Sequence, residues 1–220
     1  MKQLAERETQ CHPLAALLDG VAAGRYLPPD GGVTILPQPS PRDAGVLSFT
    51  AHAVIITDLD PAWVRGQLPP GDLSGPLQPA FLQALCAKTG RRVNSTDMLC
   101  VAAPQPGPPP VALFPATDLS HPRIVRALRH RDDVRAWQAP GGVVLLGRGL
   151  AGRWEVAVEV APGYRGRGLG RGLAAAARHL MPVDTPLWAQ IAPGNAASVR
   201  AFLAAGYVPV GAEALLTALP

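Results

Sequence analysis

The sequence predicts an α/β fold, because strand-like and helix-like patterns alternate along most of its 220 residues. The segment Trp154–Val160 alternates between two sets of side chains with the period of two that is typical of a strand. Apolar residues at helical spacing follow between Leu169 and Leu180. A second strand over 187–191 precedes a second helix, for which Asn195 is the expected N-cap and Gly206 the expected stop.

The composition indicates a globular protein, with 48% hydrophobic and 16% charged residues. No run of about 18 apolar residues occurs, and the N-terminus lacks the apolar core of a signal peptide, so we expect a cytoplasmic protein that does not span a membrane. The three cysteines, Cys11, Cys86 and Cys100, are too few and too scattered for a disulfide framework or a zinc site. We therefore expect no bound metal.

The first half of the chain contains fewer signals. A short apolar stretch begins at Leu14, and Gly45–Asp58 ends in a β-branched run that predicts one long strand. Asp60 before a proline predicts the start of a short helix, and a second helix is expected from about Pro79 to Gly90. Residues 98–103 form a further predicted strand.

A proline tract at 104–110 interrupts these patterns, since consecutive prolines fit neither a helix nor a central strand. It predicts a boundary between a first part, 1–110, and a second part, 111–220. In the second part, Ile124, Val125 and Leu128 predict the inner side of a helix. Strands are expected over 134–137 and 143–146.

The arginines are concentrated in the second part, where ten of the eighteen lie between Arg123 and Arg171. Such a cluster suits nucleic acid, a phosphate-bearing small molecule or a solvated surface. Aromatic residues make up only 5% of the chain and do not interleave with these arginines as stacking platforms would, which disfavours nucleic acid.

One glycine pattern suggests a dinucleotide site. Gly147, Gly149 and Gly152 match the spacing G-x-G-x-x-G after a predicted strand. That motif needs a helix next, so that the helix N-terminus faces the pyrophosphate. Here the strand-like segment Trp154–Val160 follows, so we interpret the glycines as a hairpin connection.

A second glycine pattern, Arg165–Arg171, has the required order of strand, loop and helix. Glycines there allow a phosphate group close to the backbone, where about four unpaired N–H groups at the helix start point towards it. The arginines add positive charge. The loop therefore predicts an anion site, unless it is a glycine-rich turn in an arginine-rich chain.

This loop reads Arg165-Gly166-Arg167-Gly168-Leu169-Gly170 and resembles the acyl-CoA loop [Q/R]-x-x-G-x-[G/A] of the GNAT superfamily of N-acetyltransferases. A second family signature is similar to the downstream set Asn195, Ser198, Phe202 and Gly206-Tyr207. The resemblance covers roughly residues 115–217. It implies a mixed, mostly antiparallel twisted sheet with helices on both faces, in which the family's fourth and fifth strands splay apart.

The resemblance also implies a binding site for acetyl-CoA as acyl donor, with the pantetheine arm lying in the gap between those strands. The implied contacts are Val158, Val160, Arg165, Gly166, Arg167, Gly168, Leu169, Gly170, Arg171 and Asn195. For Asn195, helix capping and direct contact with the cofactor are both open. The first part, 1–110, would complete the sheet or shape the acceptor site.

The implied reaction is the transfer of an acetyl group to a primary amine, either a small molecule or a protein N-terminus, by direct attack in a ternary complex. Glu155 and Glu159 have even spacing on one strand and are the candidates for the base. We expect Glu155, nearer the middle of the strand, to have a pKa raised by burial and a local bulge. The competing interpretation places both glutamates in solvent.

Two positions depart from the family pattern. Gln190 stands where some members carry a glutamate, and Phe202 stands where many carry a tyrosine that protonates the leaving thiolate. A non-catalytic acyl-CoA-binding module therefore remains an alternative to an enzyme. The acceptor, and whether the protein is a monomer or a homodimer, are open.

Overall fold

The computed structural model describes residues 12–219, so Cys11 and the polar N-terminal segment lie outside the described residues. Within that range the chain forms six α-helices and ten strands. The helices are α1 Pro13–Ala22, α2 Pro61–Gly66, α3 Pro79–Thr89, α4 Pro122–His130, α5 Leu169–Arg178 and α6 Ala196–Ala204. The strands are β1 Val33–Leu36, β2 Ala44–Phe49, β3 His52–Ile56, β4 Arg91–Ala102, β5 Phe114–Pro115, β6 Asp132–Ala139, β7 Gly142–Arg148, β8 Trp154–Val160, β9 Leu187–Ile191 and β10 Val208–Ala218.

All ten strands belong to one sheet with the order β1-β3-β2-β10-β4-β9-β8-β7-β6-β5. The pairs β1–β3 and β8–β9 are parallel, and the other pairs are antiparallel. This confirms the predicted mixed, mostly antiparallel α/β sheet. Among residues 12–219, none of the helices combines the length and the apolar composition that a membrane-spanning helix requires.

The sheet opens between β8 and β9. Only three residue pairs join these strands, from Trp154↔Leu187 to Val156↔Ala189. Beyond Val156, β8 pairs with β7 alone as far as Val160. A gap therefore begins in the middle of the sheet and widens towards the loop that precedes α5.

Strands from both parts of the sequence alternate at the centre of the sheet. The last strand, β10, is hydrogen-bonded to β2 on one side and to β4 on the other. The proline tract lies against the end of α5, where Gln105 N–H donates to the Arg178 carbonyl and the Arg178 Nε donates to Ala103. Whether either part folds alone stays a prediction.

Helices cover both faces of this sheet. On one face, α5 and α6 pack on β4, β7, β8 and β9 through Leu173, Ala177 and Phe202, and α3 packs on β2 and β10 through Phe81 and Leu85. On the other face, α1 covers β2, β3 and β4. The side chain of Glu155 lies on this second face, and α4 packs over the same face. We call it the pocket face.

Three expectations from the sequence are wrong in detail. The predicted long strand Gly45–Asp58 is a hairpin, because Ala51 adopts a left-handed backbone conformation (φ +52°) and reverses the chain between β2 and β3. Leu128 is 58% exposed, since α4 approaches the sheet through Ile124 and the smaller Ala127. The sequence also predicts Leu203 on the inner side of α6, but this side chain is exposed, because Phe202 makes the inward contact.

Candidate active site

The loop before α5 has the backbone expected of an anion site. Gly166 and Gly168 have φ of +75° and +82°, a region in which side chains other than glycine are strained. Gly168 is the N-cap of α5 and has no side chain to cap the first turn. The N–H groups of residues 169–171 therefore have no side-chain cap at the helix start, where the helix dipole favours negative charge.

The free edge of β8 presents backbone polar groups to the gap. Ala161 N–H donates to the Gly141 carbonyl, and the β7–β8 register continues from this pair in steps of one residue. Because hydrogen-bonding direction alternates along an antiparallel strand, the N–H and C=O groups of Val158 and Val160 point away from β7. Arg165 is consistent with this direction, since its Nε lies 3.1 Å from the Val160 carbonyl oxygen.

The remaining predicted donor-site residues lie on the loop, on the first turn of α5 and at the start of α6. Arg165, Arg167 and Arg171 are exposed on the loop and the first turn of α5. Asn195 caps α6, because its Oδ1 accepts the Ser198 N–H at 3.1 Å. Its capping role is therefore present, and its contact with a cofactor stays a prediction.

Glu155 is buried, with 3% of its surface exposed, where β8 and β9 begin to separate. Its carboxylate accepts hydrogen bonds from Arg153 Nε at 2.8 Å, Arg131 Nε at 2.9 Å and Gln190 Nε2 at 3.1 Å. Burial alone raises the pKa of this carboxyl, but the charges of Arg153 and Arg131 outweigh it and hold the pKa below its usual value. The expected rise in pKa is therefore wrong in direction, and the register of β8 against β7 shows no bulge at this residue.

A second buried carboxylate lies beneath the first. Glu213 receives both a 2.9 Å and a 2.8 Å hydrogen bond from Arg153 Nη2, and Gln190 Nε2 donates to it at 2.6 Å. Burial and the nearby charge of Glu155 raise the pKa of Glu213, although Arg153 opposes this. Gln190, which occupies a glutamate position of the family, therefore joins two carboxylates that Arg153 also bridges.

Gly149, one of the glycines of the hairpin connection, makes room for Glu155. A Cβ placed on Gly149 would overlap the carboxyl group of Glu155. The turn Leu150–Gly152 then leads directly into β8, so β7 and β8 form the predicted hairpin. The spacing G-x-G-x-x-G therefore reflects space for a carboxylate and a tight turn.

Glu159 lies further along β8 on the same face and is partly exposed. Arg123 Nε donates to its carboxylate at 2.6 Å, and this hydrogen bond lowers the pKa of Glu159. The sequence therefore placed both glutamates on one face correctly, but each is held by an arginine of the α4 region.

A cavity of about 150 Å³ opens on the pocket face above Glu155. Its polar lining consists of Arg42, Asp43, Asn94, Arg123, Arg126, His130, Arg131, Glu155, Gln190 and Thr217. His130 was not singled out from the sequence, although it ends a helix beside Arg131. Burial and the charges of four arginines lower the pKa of His130, so the imidazole is neutral and able to accept a proton at neutral pH.

The aromatic residues of the second signature lie on the opposite face. Phe202 packs edge-on against Tyr207, with ring centroids 4.9 Å apart. The Tyr207 hydroxyl donates to the Ala174 carbonyl at 3.2 Å, and burial raises its pKa. The Tyr207 hydroxyl is therefore buried and hydrogen-bonded in the core. It does not replace the tyrosine that the family pattern would place at position 202.

Residues 126–207 match the sequence model of the acetyltransferase (GNAT) family. This segment contains Glu155, the glycine loop and Asn195, and it ends at Tyr207. No curated protein matches the chain.

Several solved structures share part of the chain path. A GCN5-related N-acetyltransferase from Kribbella flavida is 19% identical over 63% of this chain and 64% of its own, with a TM-score of 0.42. One from Sphaerobacter thermophilus is 14% identical over 62% and 55%, with a TM-score of 0.39. A GNAT-family acetyltransferase from Colwellia psychrerythraea is 11% identical over 61% and 60%, with a TM-score of 0.37. The chain thus spans less than two thirds of each of these proteins.

Proposed function

We propose that the protein is a GNAT-family enzyme that transfers an acetyl group from acetyl-CoA to a primary amine, since residues 126–207 match the acetyltransferase (GNAT) family. The family in general uses acyl-CoA as the donor. The observation that carries the proposal is that the β8–β9 gap lies between a glycine loop suited to phosphate and a cavity with Glu155 in its wall. Donor and acceptor would therefore meet where the strands separate.

We place the pyrophosphate of acetyl-CoA on the backbone of residues 165–170, with Arg167 and Arg171 adding charge. The pantetheine arm would then lie along β8 and bond the polar groups of Val158 and Val160 that face the gap. Arg165 would have to release the Val160 carbonyl, which costs little because the guanidinium is exposed.

The acceptor amine would enter from the cavity on the pocket face. Its nitrogen attacks the thioester carbon, the carbon–sulfur bond breaks, the nitrogen loses a proton, and the CoA thiolate takes up a proton. Direct transfer in a ternary complex needs no residue as nucleophile. The free energy of activation falls because both reactants are held in attack geometry.

Glu155 remains our first candidate for handling the amine, with Glu159 second. Because its pKa is lowered, Glu155 is ionised at neutral pH and suits binding of the ammonium more than outright removal of its proton. His130 lines the same cavity as a neutral imidazole and is available to take that proton. We therefore propose that Glu155 orients the amine and that the proton leaves by way of His130 or water.

A non-catalytic acyl-CoA-binding module is the second candidate. Two observations favour it: both glutamates are tied to arginines, and the Tyr207 hydroxyl is committed to the core. The missing tyrosine at Phe202 does not exclude turnover, since a thiol of pKa about 8.5 is a tolerable leaving group. Nucleic-acid binding by the arginine cluster is a weaker third class, and a cytoplasmic location is also a proposal.

The two candidates are separated by measuring thiol release from acetyl-CoA in the presence of primary amines. Binding of acetyl-CoA is measured in parallel by calorimetry. Binding with amine-dependent thiol release supports the enzyme, and binding without release for any amine supports the module. Absence of binding would contradict both, and competition between CoA and an oligonucleotide tests the third class.

A further inference from the structure

We propose that the acceptor amine is a small molecule that also carries an anionic group, a carboxylate or a phosphate, and that Arg126 binds this group. The inference rests on the proposed function, because it assigns the acceptor class of the same cavity.

Positive groups dominate the wall of the cavity. Four arginines line it, against two carboxylates, Asp43 and Glu155, while His130 in the same wall is neutral. The arginines come from three places in the chain: Arg42 before β2, Arg123 and Arg126 on α4, and Arg131 directly after α4. The positive charge is therefore a property of the folded cavity and not of one sequence segment.

Three of these arginines already have carboxylate partners. Arg42 bonds Asp43 and Asp132, Arg123 bonds Glu159, and Arg131 bonds Glu155. These three arginines are therefore largely neutralised by their partners and offer a ligand less positive charge than free guanidinium groups would.

Arg126 differs from the other three. Its Nη2 donates a hydrogen bond at 3.2 Å to the neutral amide oxygen of Asn94. Among residues 12–219 it has no carboxylate within ion-pair distance. The Asn94 oxygen orients this guanidinium without neutralising it, so Arg126 keeps donors and a full charge for an anion that enters the cavity.

The imidazole of His130 supports a positive field in the same place. Burial is the largest cause of its lowered pKa, and the positive charges of four arginines lower the pKa further: Arg126, Arg131, Arg42 and Arg129. The carboxylates beside this cavity do not offset that effect. An anion bound between α4 and β4 would therefore be stabilised by several cations besides its direct partner.

The negative and the positive groups lie in different parts of the cavity. Glu155 lies at the β8–β9 separation, where an ammonium would be held, and Arg126 lies on α4, which covers the cavity. The cavity of about 150 Å³ has room for on the order of ten water molecules and is smaller than typical drug-sized pockets. An amine with a short spacer to a carboxylate or phosphate fits this arrangement, whereas a polyamine would bring a second ammonium to Arg126.

The test compares pairs of amines that differ in the anionic group. Glycine is paired with glycinamide, and O-phosphoethanolamine with ethanolamine, as acceptors in the thiol-release assay. We expect a higher kcat/KM for one or both anionic members. Arg126→Gln should lower kcat/KM for the preferred anionic amine by about 10- to 100-fold, the range for one lost hydrogen bond to a charged group, and should change kcat/KM for its neutral partner much less.

Arg129→Gln is the matched control, because it removes the same charge from the same helix at a residue that does not line the cavity. The preference between glycine and O-phosphoethanolamine distinguishes carboxylate from phosphate. Equal kcat/KM for charged and neutral partners, or an equal loss in the two arginine variants, would overturn the inference while leaving the acetyltransferase proposal intact.

Calorimetric titration of CoA-saturated protein with glycine and with O-phosphoethanolamine separates the two failures. If no amine is acetylated, the proposed function fails, and weaker binding to the Arg126→Gln protein than to the Arg129→Gln protein still supports an anion subsite. Equal binding to both variants, or binding to neither, overturns it.

Discussion

The carboxylate of Glu155 occupies the space that a side chain on Gly149 would take. Gly149 lies in the connection between β7 and β8, and its N–H donates to the Arg153 carbonyl at 2.9 Å. The connection thus holds the backbone of Arg153 while leaving room for the neighbouring glutamate, whose partners Arg131 and Gln190 arrive from other elements. The glycine is required by a buried ion cluster, and not by a bound nucleotide.

Replacement of this glycine should displace the carboxylate. Gly149→Ala is expected to lower the free energy of unfolding by about 1–3 kcal/mol, the usual cost of overpacking, and to reduce kcat/KM. Urea denaturation and thiol-release kinetics measure the two effects. Gly163→Ala is the control, because a Cβ there meets no atom within 4 Å and its φ is not positive. Equal stability of the two variants would contradict the role assigned to Gly149.

Loss of the Glu155 charge should lower the reaction rate without changing the pH dependence of the rate in the neutral range. Glu155→Gln is expected to lower kcat/KM by roughly 10²-fold, since the amine loses its ionised partner. Because the pKa of Glu155 lies below the ordinary value of 4.5, the carboxylate stays ionised through the neutral range, and any limb of the pH–rate profile above pH 5.5 should remain. Profiles of both proteins from pH 5.5 to 9 test this, with Glu159→Gln as the more exposed comparison. A wild-type kcat/KM in the Glu155→Gln protein would remove it from the reaction.

His130 should make stability fall on acidification. Its folded-state pKa is lowered from 6.5 by burial and by the charges of Arg126, Arg131, Arg42 and Arg129. The unfolded chain therefore binds a proton below pH 6.5 more readily than the folded protein, and stability is lost as the pH falls from there through the folded pKa. His130→Gln should show a smaller loss of unfolding free energy between pH 7.5 and pH 5.5 than the wild type. An identical loss would show that His130 does not titrate in this range.

The glycine loop should control binding of the donor. Gly168→Asp is expected to abolish acetyl-CoA binding, because it places a side chain and a negative charge at the start of α5, where the phosphates would bind. Calorimetry with acetyl-CoA measures the loss. Gly71→Asp is the control, since Gly71 has a similar φ of +74° and open surroundings but lies in the first part of the chain. Unchanged affinity in a folded Gly168→Asp protein would exclude this loop as the phosphate site.

Cleavage at the proline tract should not release two independent units. β10 bonds β2 on one edge and β4 on the other, so a fragment of residues 111–220 would expose both edges of that strand. A protease site inserted after Gly107 allows cutting of the folded protein, and size-exclusion chromatography then shows whether the fragments stay together. Separation into two folded fragments, with 111–220 binding acetyl-CoA normally, would refute a shared sheet.

Those parts of the molecule that depend on neighbours in the chain could be predicted from the sequence. The hairpin connection before β8, the cap of α6 by Asn195 and the stop of α3 at Gly90 each involve residues a few positions apart. The same holds for the loop at the start of α5, whose glycines adopt the positive φ that only glycine accepts without strain. Local conformational preferences can be predicted from a sequence because residues that are adjacent in the chain stay adjacent in every fold.

The environment of Glu155 was decided only by tertiary structure. The sequence placed Glu155 on the correct face of a strand, but the direction of its pKa shift depends on Arg131, which is 24 residues away in sequence, and on Arg153 on the adjoining turn. Glu213, 60 residues from Arg153, joins the cluster because only β4 separates β10 from β9, the strand that carries Gln190. Burial and ion pairing act on a carboxyl with opposite signs, and only the positions of the partners in space determine which of the two is larger.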